Sequence, residues 1–209
     1  DTDRSRGLGD VYKRQDSTLY TYYMRCKAEV SSPIVMQMSD TLFLMAEEKG
    51  DQRMQAVALC NKLDYFYYKN DQPDSISHYV EIVKDFARKT NQPKYYYFVW
   101  SKRLIYYYIK QYQYNIALYE ANKMMKEAEQ EKYMDGIANA YNVLSSIYQL
   151  KRLFNLAINN KKKEIEITLQ YNLNKFNLSI YYSGLTNLYC ELGEADNALE
   201  NLNKSASCL

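Results

Sequence analysis

Apolar positions fall at helical spacing along almost the whole of this chain. Ile137, Tyr141, Leu144 and Tyr148 follow one another at steps of four, three and four, which puts all of them on one face of a helix. Leu178, Tyr182, Leu185, Tyr189 and Leu192 obey the same rule. Towards the other end, Leu19, Tyr22, Tyr23, Cys26 and Val30 predict a helix over 17–30. Ile34, Val35, Met38, Leu42, Met45 and Ala46 predict one that runs to about Lys49. Between them, Ser32 is expected to cap the second helix, with Pro33 in its first turn, where a missing N–H costs nothing. Gly50 and Asp51 end it. Further helices are predicted over about 52–70, 73–90, 94–110, 114–131, 135–150 and 153–171. A final pair begins near Lys175, and its second helix presents Ala195, Ala198, Leu199 and Leu202 for packing. Six Gly and three Pro leave room only for short turns between these elements.

The helices come in pairs that repeat. Tyr108, Tyr148 and Tyr189 are separated by 40 and 41 residues, and Leu104, Leu144 and Leu185 take the same steps, as do Ala117, Ala157 and Ala198. The Ala has a physical role where the two helices of a pair cross most closely, because a larger side chain would overpack the contact. The earlier copies carry a one-residue ambiguity. Either Phe66 or Tyr67 takes the aromatic position and Ser75 or Ile76 the small one, while Trp100 or Ser101 opens the next copy.

The last copy reads Tyr182, Leu185, Thr186, Tyr189, Gly193, Ala198 and Leu202, and the one before it Tyr141, Leu144, Ser145, Tyr148, Ala157 and Lys161. This resembles the tetratricopeptide repeat, whose signature is W-x2-L-G-x2-Y followed by a small Ala. The copies exceed the usual length of about 34 residues, and roughly two further turns of helix take up the excess. The resemblance implies an all-α, right-handed α-solenoid of stacked antiparallel helix pairs. In this scheme residues 16–209 form one repeat domain, cut off inside what should be the second helix of a repeat, since no closing helix with a polar outer face is present. Residues 1–15 carry no apolar stripe and resemble translated sequencing-adapter read-through, an artefactual or disordered leader rather than part of the fold.

Charge and chemistry narrow the function by exclusion. With 27 basic and 25 acidic residues the balance argues against nucleic acid or an anionic membrane as partner. No run reaches the roughly 18 apolar residues of a membrane span. The only histidine, His78, has no second His to form a dyad and reads as a surface residue. Glycine-rich phosphate loops and metal-ligand spacings are missing, and Cys26, Cys60, Cys190 and Cys208 are scattered singly. Neither an enzymatic activity nor a cofactor is therefore expected of this segment. Lys161, Lys162 and Lys163 read as a charged convex surface, and Glu164 and Glu166 as a solvated helix face. Tyrosine is abundant, at 24 of 209 residues; repeat packing explains it, and a tyrosine-lined groove that grips a partner is the alternative.

The expected partner is a protein or peptide. In tetratricopeptide arrays the first helices line a concave groove, and polar positions between the packing stripes then face the ligand. These are Asn61, Asp64 and Tyr68; Lys102, Arg103, Tyr106 and Lys110; Asn139, Asn142, Ser146 and Gln149; and Ser183, Asn187 and Glu191. Amides hydrogen-bond an extended backbone through both donor and acceptor, and Lys and Arg hold a carboxylate. In style the chain resembles the sensory arrays of Bacteroidetes signalling proteins, where repeats precede a membrane helix and a kinase or DNA-binding module. That resemblance implies a periplasmic sensor region. A cytoplasmic peptide-responsive transcriptional regulator and a structural assembly scaffold are the alternatives.

Overall fold

The computed structural model describes residues 17–69, 73–173 and 175–208. Every element among them is helical: α1 (Ser17–Ala28), α2 (Ile34–Glu48), α3 (Gln52–Lys69), α4 (Pro73–Lys89), α5 (Pro93–Val99), a π-helical segment (Trp100–Ile105), α6 (Tyr106–Lys110), α7 (Tyr114–Gln130), α8 (Met134–Leu150), α9 (Phe154–Gln170), a short 3-10 turn (Lys175–Asn177), α10 (Leu178–Leu192) and α11 (Ala195–Ser207). The all-α class follows from the spacing of the apolar residues. The 1–15 leader, the turn at 70–72 and Leu209 lie outside the described residues.

The chain forms two compact units, one ending at Val99 and one beginning at Trp100. In the first, α1 packs on α2, α2 on α3, α3 on α4 and α4 on α5, and the alternate helices α1 and α3, and α3 and α5, also touch. Leu19, Cys26, Val35, Leu42, Ala46 and Met54 make one core there. In the second, α7 packs on α8, α8 on α9, α9 on α10 and α10 on α11, and α8 also touches the π segment. Ala157, Ile158, Ile165, Leu178, Leu185, Leu188, Tyr189 and Ala198 form a core in this unit. Ala117 and Ala157 are fully buried and Ala198 nearly so, as the helix-crossing role requires.

The turns are built on one plan. Gly50, Asn91, Tyr112, Lys132, Arg152, Asn172 and Gly193 all take left-handed φ values between 50° and 75°. After each, the next N–H reaches back five residues: Asp51 to the Ala46 carbonyl, Gln113 to Tyr108, Leu153 to Tyr148 and Glu194 to Tyr189, at 2.8–3.0 Å. This is the Schellman closure, which satisfies carbonyls that a helix end leaves over. Gly50 and Gly193, and after them Asn91 and Asn172, are residue types that favour this position. Tyr112, Lys132 and Arg152 hold the same conformation at a steric cost of about 1–2 kcal/mol each, offset by the closing hydrogen bonds.

Several local expectations are corrected. Ser32 does not cap α2; Pro33 occupies the cap position without a side-chain bond, and the Ser32 carbonyl accepts from the Val35 N–H at 3.0 Å. The working cap is Asp51, whose carboxylate accepts the Met54 N–H at the start of α3 at 3.0 Å. In α3 and α4, Tyr67 and Ile76 are buried while Phe66 and Ser75 are half-buried. Their nine-residue separation matches Tyr108–Ala117, Tyr148–Ala157 and Tyr189–Ala198. The ambiguity at Trp100 and Ser101 has a cause in the π segment, since a π turn takes in one extra residue. Trp100 stands four residues before Leu104, where Tyr141 and Tyr182 stand three before Leu144 and Leu185. Both Trp100 and Ser101 are buried, and the Trp100 Nε1 donates to Glu120 Oε2 at 2.9 Å.

Candidate functional site

The residues expected to line a groove do not share one environment. In the second unit, Lys110, Gln149, Asn187 and Glu191 are exposed on α6, α8 and α10. Lys102, Arg103, Tyr106, Asn139, Asn142, Ser146 and Ser183 are half-buried. Lys102 holds its ammonium 5.3 Å from the centre of the Tyr106 ring, and Arg103 Nη1 donates to the Lys102 carbonyl at 3.1 Å. The π segment sets these two cations on its last turn. Ser146 donates to the Asn142 carbonyl at 3.0 Å, so its hydroxyl serves its own helix.

In the first unit, Tyr68 is exposed, but Asn61 and Asp64 are both buried at 1 % exposure and so are not groove-lining side chains. The Asp64 carboxylate takes the Lys27 ammonium of α1 at 2.9 Å. Among the described residues neither Nδ2 nor Oδ1 of Asn61 finds a hydrogen-bond partner. The correction has a simple origin: α3 is covered by α1, α2, α4 and α5, and the spacing that marks a residue as off the packing stripe cannot show how many neighbours a helix has.

The densest polar arrangement lies where the sequence predicted a solvated face. Lys161 and Glu164 are buried rather than convex and wet, with Nζ 2.6 Å from Oε2, while Lys162, Lys163 and Glu166 are exposed. The second Glu164 oxygen accepts from Asn142 Nδ2 at 2.7 Å. Tyr181 of α10 stands by the same carboxylate. Its phenol is pushed up to about 12, first by burial and then by the Glu164 charge. The Lys161 ammonium lies 5.5 Å from the Tyr181 ring centre, and its stem runs past Gly184, where a Cβ would meet Cε at 3.5 Å. One buried ion pair thus ties α8, α9 and α10 together.

The same two positions recur one repeat later. Asn142 and Glu164 are 22 residues apart, and so are Ser183 and Ser205. Ser205 donates to the Ser179 carbonyl at 2.8 Å, and its oxygen lies 3.0 Å from Ser183 Oγ and 3.1 Å from Ser179 Oγ. That 22-residue recurrence is the signal which could have found the cluster in the sequence.

Elsewhere little chemistry is assembled. His78 is exposed and makes an edge contact with Tyr79, with ring centres 5.5 Å apart. Cys26 and Cys60 are buried, Cys190 and Cys208 exposed, and none forms a disulfide. Among the described residues, no group of His, Cys, Asp and Glu is placed to hold a metal, and no helix is long and apolar enough to cross a membrane.

No protein-family model and no curated protein matches this sequence. A solved structure does resemble the fold: BtubC (BKLC) from P. vanneervenii, with a TM-score of 0.56 and 12% identity, over 92% of this chain and 91% of that one. At that identity the likeness concerns the helical fold and carries nothing about the site.

Proposed function

We propose that this chain is a helical-repeat scaffold of the tetratricopeptide kind. It binds an extended protein or peptide segment along the first helices of its pairs, and it serves as the interaction region of a signalling protein. In this reading the pairs stack as a right-handed solenoid. The observation that carries the reading is the direct contact between alternate helices, α3 with α5 and α8 with the π segment, which a repeat array needs and a simple up-and-down bundle of consecutive neighbours does not. Support for the binding face comes from the exposure of Lys110, Gln149 and Asn187, from the Lys102 ammonium over the Tyr106 ring, and from the adjacent cation Arg103. These groups suit a segment with an acidic end and an accessible backbone.

The test is selection of extended peptides from a random library on the immobilised chain, then titration of the best peptide against Lys102→Ala/Arg103→Ala. Loss of two charge-assisted bonds weakens binding by about 1–3 kcal/mol, roughly 5- to 150-fold, with unfolding unchanged. The dependence on salt flattens as well, because screened charges carry that part of the attraction. Equal binding by parent and double variant at low and high salt rules out this face.

A further inference from the structure

The near balance of charge over the whole chain conceals a segregation within the second unit. Residues 100–119 hold three basic residues and no acidic one, and residues 136–163 hold five and none. The α6–α7 and α8–α9 turns lie in these two stretches. The exposed acids of the same helices, Glu129, Glu131, Asp135 and Glu166, lie towards their opposite ends. Both turns belong to one edge. Tyr112 and Arg152, 40 residues apart, are the left-handed residues of equivalent turns, and Ile116 and Leu156 take the same position on α7 and α9. Lys151 Nζ donates from one turn to Asn115 Oδ1 beside the other at 3.5 Å. Leu150, Lys151, Arg152 and Leu153 are all exposed, as are Ile116 and Leu156, and Tyr112 is 80% exposed. The last pair differs. Its turn edge carries Glu191, Glu194 and Asp196, and the expectation that Ala195, Leu199 and Leu202 of α11 pack is corrected, since of that set only Ala198 is buried.

We propose that the edge formed by the α6–α7 and α8–α9 turns rests on an anionic phospholipid surface. Lys151 and Arg152 meet headgroup phosphates, and Tyr112, Leu150 and Leu153 reach the boundary with the acyl chains. The pairing of groups selects this occupant. Nucleic acid supplies phosphate but leaves four exposed aliphatic side chains, at 116, 150, 153 and 156, with nothing apolar to meet. The anchors of a protein partner need a pocket that excludes water, whereas these side chains stand at and beside the ends of helix hairpins. A bilayer meets every group at once, with negative charge outside, hydrocarbon beneath and a layer between them where tyrosine is favoured. Net charge argues against such a surface only when the charge is spread evenly, and here it is not. The contact needs no ligand in the groove and stands whether or not a peptide binds there.

The test is co-sedimentation of the intact chain with vesicles of phosphatidylcholine alone and of phosphatidylcholine with about one-third phosphatidylserine. Binding is expected to the charged vesicles and not to the neutral ones. The variants suit the backbone they replace: Gly and Asn accept the left-handed φ of Arg152 and Tyr112, and Ser suits the helix-cap position of Leu153. Lys151→Ala/Arg152→Gly is expected to weaken binding by about tenfold or more. Tyr112→Asn/Leu153→Ser weakens it as well, and Lys126→Ala, an exposed cation farther along α7, leaves it unchanged. Circular dichroism and urea unfolding of each variant confirm that the fold is retained. Failure to sediment with charged vesicles overturns the proposal, and so does equal loss in the Lys126 variant. Binding that a single-stranded oligonucleotide abolishes, and that Tyr112→Asn/Leu153→Ser leaves intact, overturns it too, since the edge then answers to phosphate alone.

Discussion

The pair α3–α4 and the pair α8–α9 place an amide at the same repeat position and give it opposite surroundings. Asn61 stands six residues before Tyr67, as Asn142 stands six before Tyr148. Twenty-two residues beyond Asn142 is Glu164, which accepts its Nδ2 proton at 2.7 Å. Twenty-two beyond Asn61 is Val83, a buried side chain with nothing to accept. The Asn142 amide donates into an ion-pair cluster; the Asn61 amide is buried with neither of its polar atoms bonded. A repeat can thus conserve the shape of a position while one residue on the neighbouring helix reverses the sign of its contribution, because an unmet buried amide costs about 1–3 kcal/mol.

The largest effect that tests this contrast belongs to Glu164→Leu. It leaves the Lys161 charge and the Asn142 amide buried together without their acceptor, and a loss of about 3–5 kcal/mol is expected in urea denaturation. A loss below about 1 kcal/mol shows that Lys161 reaches water, and the cluster then has no structural weight.

Next come the two amides themselves. Asn61→Leu removes an unmet polar group and is expected to raise stability by about 1–2 kcal/mol. Asn142→Leu deprives Glu164 of a donor and is expected to lower it by about 1–3 kcal/mol. Shifts of the same sign in parallel denaturation curves break the comparison outright.

The smallest effect is at Gly184→Ala in α10. Its Cβ meets Lys161 at ordinary van der Waals distance, so the helix gains about 0.5–1 kcal/mol from the lost backbone freedom of glycine. Thermal unfolding measures it; a fall in stability shows that the lysine stem has no room to yield.

Much of the helical layout was legible in the spacing of Tyr, Leu and Ala, because a helix shows its period in the chain itself. The candidate site was less legible. Lys161 and Glu164 belong to a run of charges that a single helix would leave in water, and the packing of α8 and α10 against α9 encloses them. Asn61 and Asp64 fall off the packing stripe of α3, yet four helices surround α3 and leave no open side there. Lys110, Gln149 and Asn187 are exposed.

By itself, then, the sequence determined the order of the helices among the described residues, the small residues at their crossings and the near-forty-residue recurrence, since each depends on residues close in the chain. Tertiary structure alone decided three other things: which charged residues are dry, that a π turn absorbs the extra residue at Trp100, and that Leu199 and Leu202 face outward. Each depends on what another helix covers, and burial is a property of neighbours that local periodicity does not encode.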